Sequence, residues 1–176
     1  DIDYINLDTF YKKADAYTDI EIKKFVNENK DKLKQDYIDF SYVNINPIDL
    51  IGLEEFNQTF FDKIDSIENQ ISKNVDFKII VEDLNLSSTS VMSYVSLDSE
   101  KTINNKIYNS RKNKTDILED NGTYIFYNID TLNTRLPSLD EDKFKKEIKN
   151  LLYQKEKYEF NKNILDKINE KKFNQV

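Results

Sequence analysis

The chain has 176 residues, of which 34% are charged and 38% hydrophobic, and its formal net charge is −7. A chain of this length can bury one core of ordinary size, and its 11 tyrosines and 11 phenylalanines supply bulky core side chains, which excludes a disordered protein. The acidic balance argues against nucleic acid as a partner, because phosphate binding requires clustered Lys and Arg.

The chain contains neither cysteine nor histidine. Because histidine is the most frequent general base and zinc sites are built from Cys and His, this composition argues against a zinc site and against histidine-based catalysis. No calcium loop of the form D-x-[DN]-x-[DN]-G occurs, so we expect no metal and no cofactor. No apolar run approaches 18 residues, and we expect contact with a membrane only through a segment absent from this chain.

The predicted elements begin with a weak strand at residues 2–7, where apolar and polar residues alternate. The pattern Thr18–Glu21 has the form of a capping box and predicts a helix over residues 19–33. A strand is predicted over residues 37–45. Pro47 and Gly52 then mark the exit from that strand.

A long amphipathic helix is predicted over residues 53–74. Its apolar residues recur every three or four positions: Leu53, Phe56, Phe60, Ile64, Ile67 and Ile71. Asp76 can cap a short helix over residues 77–84. Farther along, residues 91–97 predict an irregular strand, and residues 103–108 predict one or two helical turns.

The pair Asn121-Gly122 lies between two apolar runs and predicts a β-hairpin, after which Pro137 ends the sheet. A second capping-box pattern, Ser138–Glu141, predicts a final helix over residues 140–171. A helix of roughly 30 residues is about 45 Å long. We therefore expect part of it to pack on another helix, on a partner or on the rest of a longer chain.

No catalytic pattern stands out among the polar residues. Carboxylate pairs such as Glu54/Glu55 and Asp140–Asp142 are expected on solvated faces of a chain with 33 acidic residues, and in a first helical turn they favour the macrodipole. The run Ser87–Ser90 lacks a histidine partner and a glycine elbow, which argues against a serine nucleophile. The residues alone therefore predict an α+β domain without an identified chemistry.

Several strings, in their order along the chain, resemble the parvulin-type peptidyl-prolyl isomerases and the periplasmic folding factors of the SurA/PpiD kind. Residues 18–30, TDIEIKKFVNENK, are similar to that family's SDEEIKxYYEENK, and residues 38–45 resemble its first strand. Residues 74–80, NVDFKII, resemble its GxDFxxIA turn. Residues 122–129, GTYIFYNI, resemble its last strand, GYHIIKV, and residues 136–141, LPSLDE, resemble the PPLDE start of its C-terminal chaperone helix.

The resemblance implies a parvulin-like domain at residues 36–136, with a small antiparallel sheet and packed helices. It also implies that an N-terminal strand and helix at residues 1–35 and a long C-terminal helix at residues 137–176 form a chaperone-type helical arm. Active members of the family carry a histidine on the first strand and another on the last, and these positions are Tyr42 and Tyr124 here. The family's glycine-rich GGDLG segment is also missing, so the resemblance implies a degenerate domain.

The leading hypothesis is a periplasmic folding factor fragment that binds unfolded or nascent exported polypeptides without catalysis, and that a longer parent protein could tether to the inner membrane. The expected contact residues are exposed aromatics: Phe25, Tyr42, Tyr94, Tyr124 and Tyr158. One alternative is a weak prolyl isomerase that uses Tyr42 and Tyr124. Another is a docking module whose last helix holds a partner protein.

Overall fold

The computed structural model describes residues 6–96, 102–120 and 122–170, and it has the predicted α+β composition, with a four-stranded antiparallel sheet and a long C-terminal helix. The described residues form two compact units. The helical unit lies within Asp1–Lys34 and Leu136–Val176, and the sheet unit is Gln35–Arg135.

The described strands are β1 (Gln35–Ile45), β2 (Thr89–Tyr94), β3 (Thr115–Asp120) and β4 (Thr123–Arg135). The described α-helices are α1 (Asp19–Glu28), α2 (Pro47–Ile51), α3 (Gln58–Ser72), α4 (Phe77–Asp83), α5 (Ile103–Asn109) and α6 (Asp142–Asn169). The predicted N-terminal strand at residues 2–7 lies largely outside the described residues, and Leu7–Thr9 is a 3-10 turn.

The sheet has the strand order β2-β1-β4-β3, and every neighbouring pair is antiparallel. The central strands β1 and β4 pair along the whole length of β1, from Gln35 opposite Arg135 to Ile45 opposite Tyr124. The predicted hairpin joins β3 to β4, and Gly122 adopts the positive φ of +77° that its turn requires. Asn121 lies outside the described residues.

The two faces of the sheet bury different apolar clusters, because successive residues of a strand point to opposite sides. Val43, Ile45 and Phe126 pack with α3 and α4 on one face, which we call the α3 face. Phe40 and Tyr127 pack with α5 on the other, which we call the α5 face.

The single helix predicted over residues 53–74 is wrong in its first part. Pro47 starts the short helix α2, and Gly52 ends it with a left-handed φ of +72°. The chain then remains non-helical until Asn57, whose side chain accepts a hydrogen bond from the Phe60 amide over 3.1 Å and begins α3. Leu53 and Phe56 therefore lie outside the helix.

In the helical unit, α1 and the first half of α6 bury a cluster of Tyr17, Ile22, Val26, Phe144, Ile148 and Leu152. The predicted capping box at the start of α1 is confirmed, with the Glu21 carboxylate 2.8 Å from the Thr18 amide nitrogen. The helix ends earlier than predicted, because the side-chain amide of Asn29 donates to the Phe25 carbonyl over 2.8 Å.

The second predicted capping box does not start α6. Ser138 Oγ accepts from the Asp140 amide instead of the Glu141 amide, although the Ser138 amide donates to Glu141 Oε1 over 3.1 Å. These bonds form a turn, and the helix begins only at Asp142. The acidic residues before Asp142 therefore precede the first helical turn.

The capping box predicts a pH dependence of stability. Hydrogen bonds from Lys12 and then from Thr18 lower the pKa of Glu21 to about 2. Because this pKa lies below the unfolded value of about 4.3, the stabilisation by Glu21 is complete above that value and is lost as the pH falls towards 2. We expect Glu21→Gln to lower the free energy of unfolding near pH 7, and the difference from the wild type to shrink between pH 4.3 and 2.

Urea unfolding across this pH range measures the difference. Glu28→Gln is the matched control on α1, because its carboxylate is 4.0 Å from the ammonium group of Lys24 and such exposed pairs contribute little. A difference between wild type and Glu21→Gln that stayed constant down to pH 2 would contradict the assignment.

Candidate functional site

The structure places Tyr42 and Tyr124 on opposite faces of the sheet. Tyr42 lies opposite Tyr127, whereas Tyr124 lies opposite Ile45, three residues farther along β1. An odd number of residues reverses the side-chain direction, so Tyr42 packs on the α5 face and Tyr124 on the α3 face. The two hydroxyls therefore do not form one pocket.

The α5 face around Tyr42 is filled by its own aromatic rings, which we call the tyrosine cluster: Phe40, Tyr42, Tyr94, Tyr108 and Tyr127. The ring of Phe40 is centred 6.0 Å from that of Tyr42 and 5.9 Å from that of Tyr94. Tyr94 and Tyr108 meet edge to face at 6.0 Å. Such contacts are typical of a packed core.

Hydrogen bonds hold three of these phenols in place. Tyr94 donates to Asn105 Oδ1 over 2.7 Å, Tyr108 to the Asp36 carbonyl over 3.0 Å, and Tyr127 to the Ser110 carbonyl over 3.1 Å. Burial raises the pKa of Tyr127 to about 12, which keeps its phenol neutral. The tyrosine cluster therefore has a structural role, with three of its four phenols hydrogen-bonded inside the unit.

Tyr124 belongs to a different group of rings on the α3 face, the aromatic patch: Phe56, Phe60, Phe61 and Tyr124. Phe60 is the buried centre, with ring centroids 4.9 Å from Phe56, 5.5 Å from Phe61 and 5.4 Å from Tyr124. Phe56 and Phe61 remain 46% and 40% exposed. The patch therefore presents aromatic surface to solvent, and the buried ring of Phe60 holds the exposed rings in place.

Carboxylates lie beside the aromatic patch. Glu54 and Glu55 are exposed and directly precede Phe56. Burial and the nearby carboxylates of Glu119 and Glu68 raise the pKa of Tyr124. Glu54 and Glu55 lie outside the first turn of α3, which contains no acidic residue, so their predicted role at the macrodipole is wrong. Their position instead gives the apolar surface an acidic border.

The sequence pattern did not identify Phe56 and Phe61 as surface residues. Phe56 fits the apolar stripe, but it precedes the Asn57 cap and escapes burial. Phe61 follows Phe60 directly, and consecutive helical residues diverge by about 100°. Two adjacent phenylalanines on an amphipathic helix are therefore the sequence signal for one exposed ring.

The remaining predicted contact residues lie elsewhere. Tyr94 is half-buried in the tyrosine cluster. In the helical unit, Phe25 is half-buried against the core, with the Lys155 ammonium 5.9 Å from its ring centre. Tyr158 on α6 is 68% exposed. Of the five predicted residues, Tyr158 alone is fully on the surface, and Tyr124 alone belongs to the aromatic patch.

One serine forms a polar network across the strands, and its chemistry is limited. The Ser41 hydroxyl donates to Asp130 Oδ2 over 2.9 Å, and its oxygen is 3.0 Å from Ser90 Oγ. The chain has no histidine to act as the base of such a hydroxyl. The network therefore cross-links β1, β2 and β4.

The described residues contain no cluster of acidic side chains placed to hold a metal ion. None of the described helices combines the length and the apolar composition needed to cross a membrane. Comparison of the chain with models of protein families, with curated proteins and with solved structures gives no match.

The tyrosine cluster gives a prediction with an internal control. Tyr127→Phe removes a buried hydroxyl and its hydrogen bond to the Ser110 carbonyl, so it should lower the free energy of unfolding by about 1 kcal/mol. Tyr42→Phe, in the same row of the sheet, should change it by less than about 0.5 kcal/mol, because the Tyr42 hydroxyl makes no hydrogen bond to the described residues. Urea unfolding of both variants measures the difference, and equal losses would contradict the proposed structural role.

Proposed function

We propose that this chain is a non-catalytic folding factor that resembles the parvulin type and binds unfolded or nascent exported polypeptides in the periplasm. Unfolded polypeptides are its partners, and attachment to the inner membrane would come from a segment absent from this chain. The observation that carries the proposal is the aromatic patch, in which two half-exposed phenylalanines are supported by a buried one.

An exposed cluster of aromatic rings is a recognised feature of protein-binding surfaces. Unfolded polypeptides expose the apolar side chains that such a surface binds. The carboxylates beside Phe56 and Tyr124 favour clients that carry Lys or Arg next to apolar residues. Fully burying a phenylalanine contributes about 2.5 kcal/mol, so covering the exposed parts of Phe56 and Phe61 would contribute about 2 kcal/mol.

The geometry supports a non-catalytic role over the alternative of a weak prolyl isomerase. Tyr42 and Tyr124 occupy the positions at which the resemblance places two histidines, and they lie on opposite faces of the sheet. The rotation barrier of a peptide bond is about 18–20 kcal/mol, and no pair of side chains at these positions converges on one substrate. In a protease-coupled assay with a proline peptide, we expect isomerisation at the uncatalysed rate, and a Tyr42-dependent acceleration would contradict the proposal.

The aromatic patch gives the direct test of client binding. The wild type should suppress aggregation of a chemically unfolded model protein at micromolar concentration, as measured by light scattering. The double variant Phe56→Ser/Phe61→Ser should bind the same client about 30-fold more weakly, because about 2 kcal/mol of apolar burial is lost.

Ile79→Ser is the matched control, because Ile79 is 51% exposed on α4 of the same unit and outside the aromatic patch. Circular dichroism should show that all variants are folded. Absence of suppression by the wild type, or equal suppression by the double variant and the wild type, would contradict the proposal.

One observation favours the docking-module alternative. In α6 the exposed residues Leu151, Tyr158 and Leu165 recur every seven positions along one side. Such spacing is typical of a helix that packs against another helix. In this alternative, Leu151→Lys/Leu165→Lys would abolish a one-to-one complex with a folded partner and would leave aggregation suppression unchanged.

A further inference from the structure

The sheet has two edge strands, and they differ in how they are protected. Edge strands expose unpaired backbone groups, and natural proteins usually blunt them with charges, proline, bulges or covering elements. The edge strand β3 follows this rule. Three of its six residues are acidic, Asp116 Oδ1 accepts a hydrogen bond from the Ile117 amide over 2.8 Å, and Ile117 packs into the cluster with α3.

The opposite edge, β2, has few of these protections. Residues 87–96, SSTSVMSYVS, contain no charge, no proline and no glycine. Thr89, Ser90 and Ser93 are exposed, and Met92 is 73% exposed. Small hydroxyl side chains leave room beside the backbone. An uncharged edge with this composition is suited to pairing with another extended chain.

A bulge near the C-terminal end of β2 ends its regular pairing with β1. Two residues of β2 bulge opposite Asp39, between the pairs Ile38–Tyr94 and Phe40–Val91. Ser93 adopts a φ of +51°, and its amide donates to Asp39 Oδ1 over 2.6 Å. The bulge therefore confines the regular edge to Thr89–Val91. In this stretch, pairing with β1 holds the strand in an extended conformation before any partner arrives.

We propose that the β2 edge binds an extended segment of an unfolded polypeptide by strand addition, with hydrogen bonds to the outward-pointing backbone groups of the regular stretch Thr89–Val91. This inference rests on the proposed function and specifies its binding mode. Strand addition derives affinity from the main chain, which every polypeptide has, so it suits a factor that accepts clients of many sequences. The charged β3 edge would not bind in this way.

The position of β2 relative to the aromatic patch supports this occupant. Thr89 lies opposite Tyr42, which is three residues from Ile45, and Ile45 lies opposite Tyr124. At about 3.3 Å per residue and about 4.8 Å per strand, Thr89 and Tyr124 are about 14 Å apart, or about four extended residues. One client segment of about ten residues could therefore pair with β2 and place an apolar side chain on the aromatic patch. Because one client segment makes both contacts, its overall affinity exceeds that of either contact alone.

A second copy of this chain fits the β2 edge less well. A strand of six residues spans about 20 Å, and pairing two of them buries far less than the roughly 1,200 Å² of a stable interface. Each copy also carries a net charge of −7, so two copies repel each other. A neutral or basic client segment is not repelled, and its contact with the aromatic patch adds to the area that strand pairing buries.

The test uses a fluorescent 12-residue peptide with the repeat Val-Lys-Val-Thr, and the same peptide with N-methyl groups on alternate amides. We expect fluorescence anisotropy to show binding of the first peptide by the wild type and at least fivefold weaker binding of the N-methylated peptide, which lacks donors along one edge. Met92→Lys should weaken binding of the first peptide at least fivefold. The matched control Ile79→Lys, also in the sheet unit, should bind within twofold of the wild type.

Hydrogen exchange on the wild type provides a readout that needs no variant. The amide of Ser90 should become protected when the peptide binds, and those of the β3 edge should not. Equal affinity for both peptides, or unchanged exchange in β2 with the peptide bound, would overturn strand addition. In that case, loss of aggregation suppression by Phe56→Ser/Phe61→Ser would leave the proposed function standing without strand addition. A wild type that bound no unfolded chain would overturn both.

Discussion

The pairing of β1 with β4 is the constraint on which the rest of the sheet unit depends. These strands begin and end the unit, yet they lie side by side at its centre. They pair from Gln35–Arg135 to Ile45–Tyr124, with one irregularity beside Asp39. This register decides which side chain points to which face. A shift of one residue would exchange the two apolar clusters, so burial of Phe40 on one face and Val43 on the other fixes it.

The same register determines what the two tyrosines can do. Tyr42 becomes part of a packed aromatic layer in which neighbouring phenols bond to carbonyl and amide groups of the unit. Tyr124 supports rings that remain partly in solvent. The face that holds Tyr42 is thus occupied by core side chains, and the exposed aromatic surface lies on the face that α3 covers. This separation is the physical reason for proposing binding without catalysis.

Much of the fold follows from local patterns. The Thr18–Glu21 capping box, the Asp76 cap and the apolar–glycine–apolar pattern around Gly122 each contain the atoms that form the structure, so a few residues suffice to predict it. The candidate site does not follow in this way. Phe56 has the spacing of a core residue, and only the competing cap at Asn57 places it on the surface. Likewise, the face of the sheet on which Tyr42 and Tyr124 each lie depends on the long-range register of β1 and β4, which no local pattern encodes.

The surface features proposed to bind polypeptides arise from local interruptions of regular structure. Gly52 and Asn57 end one helix and start the next, and the rings between them and just beyond remain exposed instead of completing a buried stripe. At the edge of the sheet, the amide of Ser93 bonds to Asp39, which ends the regular part of β2. A continuous helix would have buried Phe56, and a charged β2 would have repelled an incoming strand. The binding surface is therefore set by caps and bulges, whereas the core beneath it is set by hydrophobic periodicity.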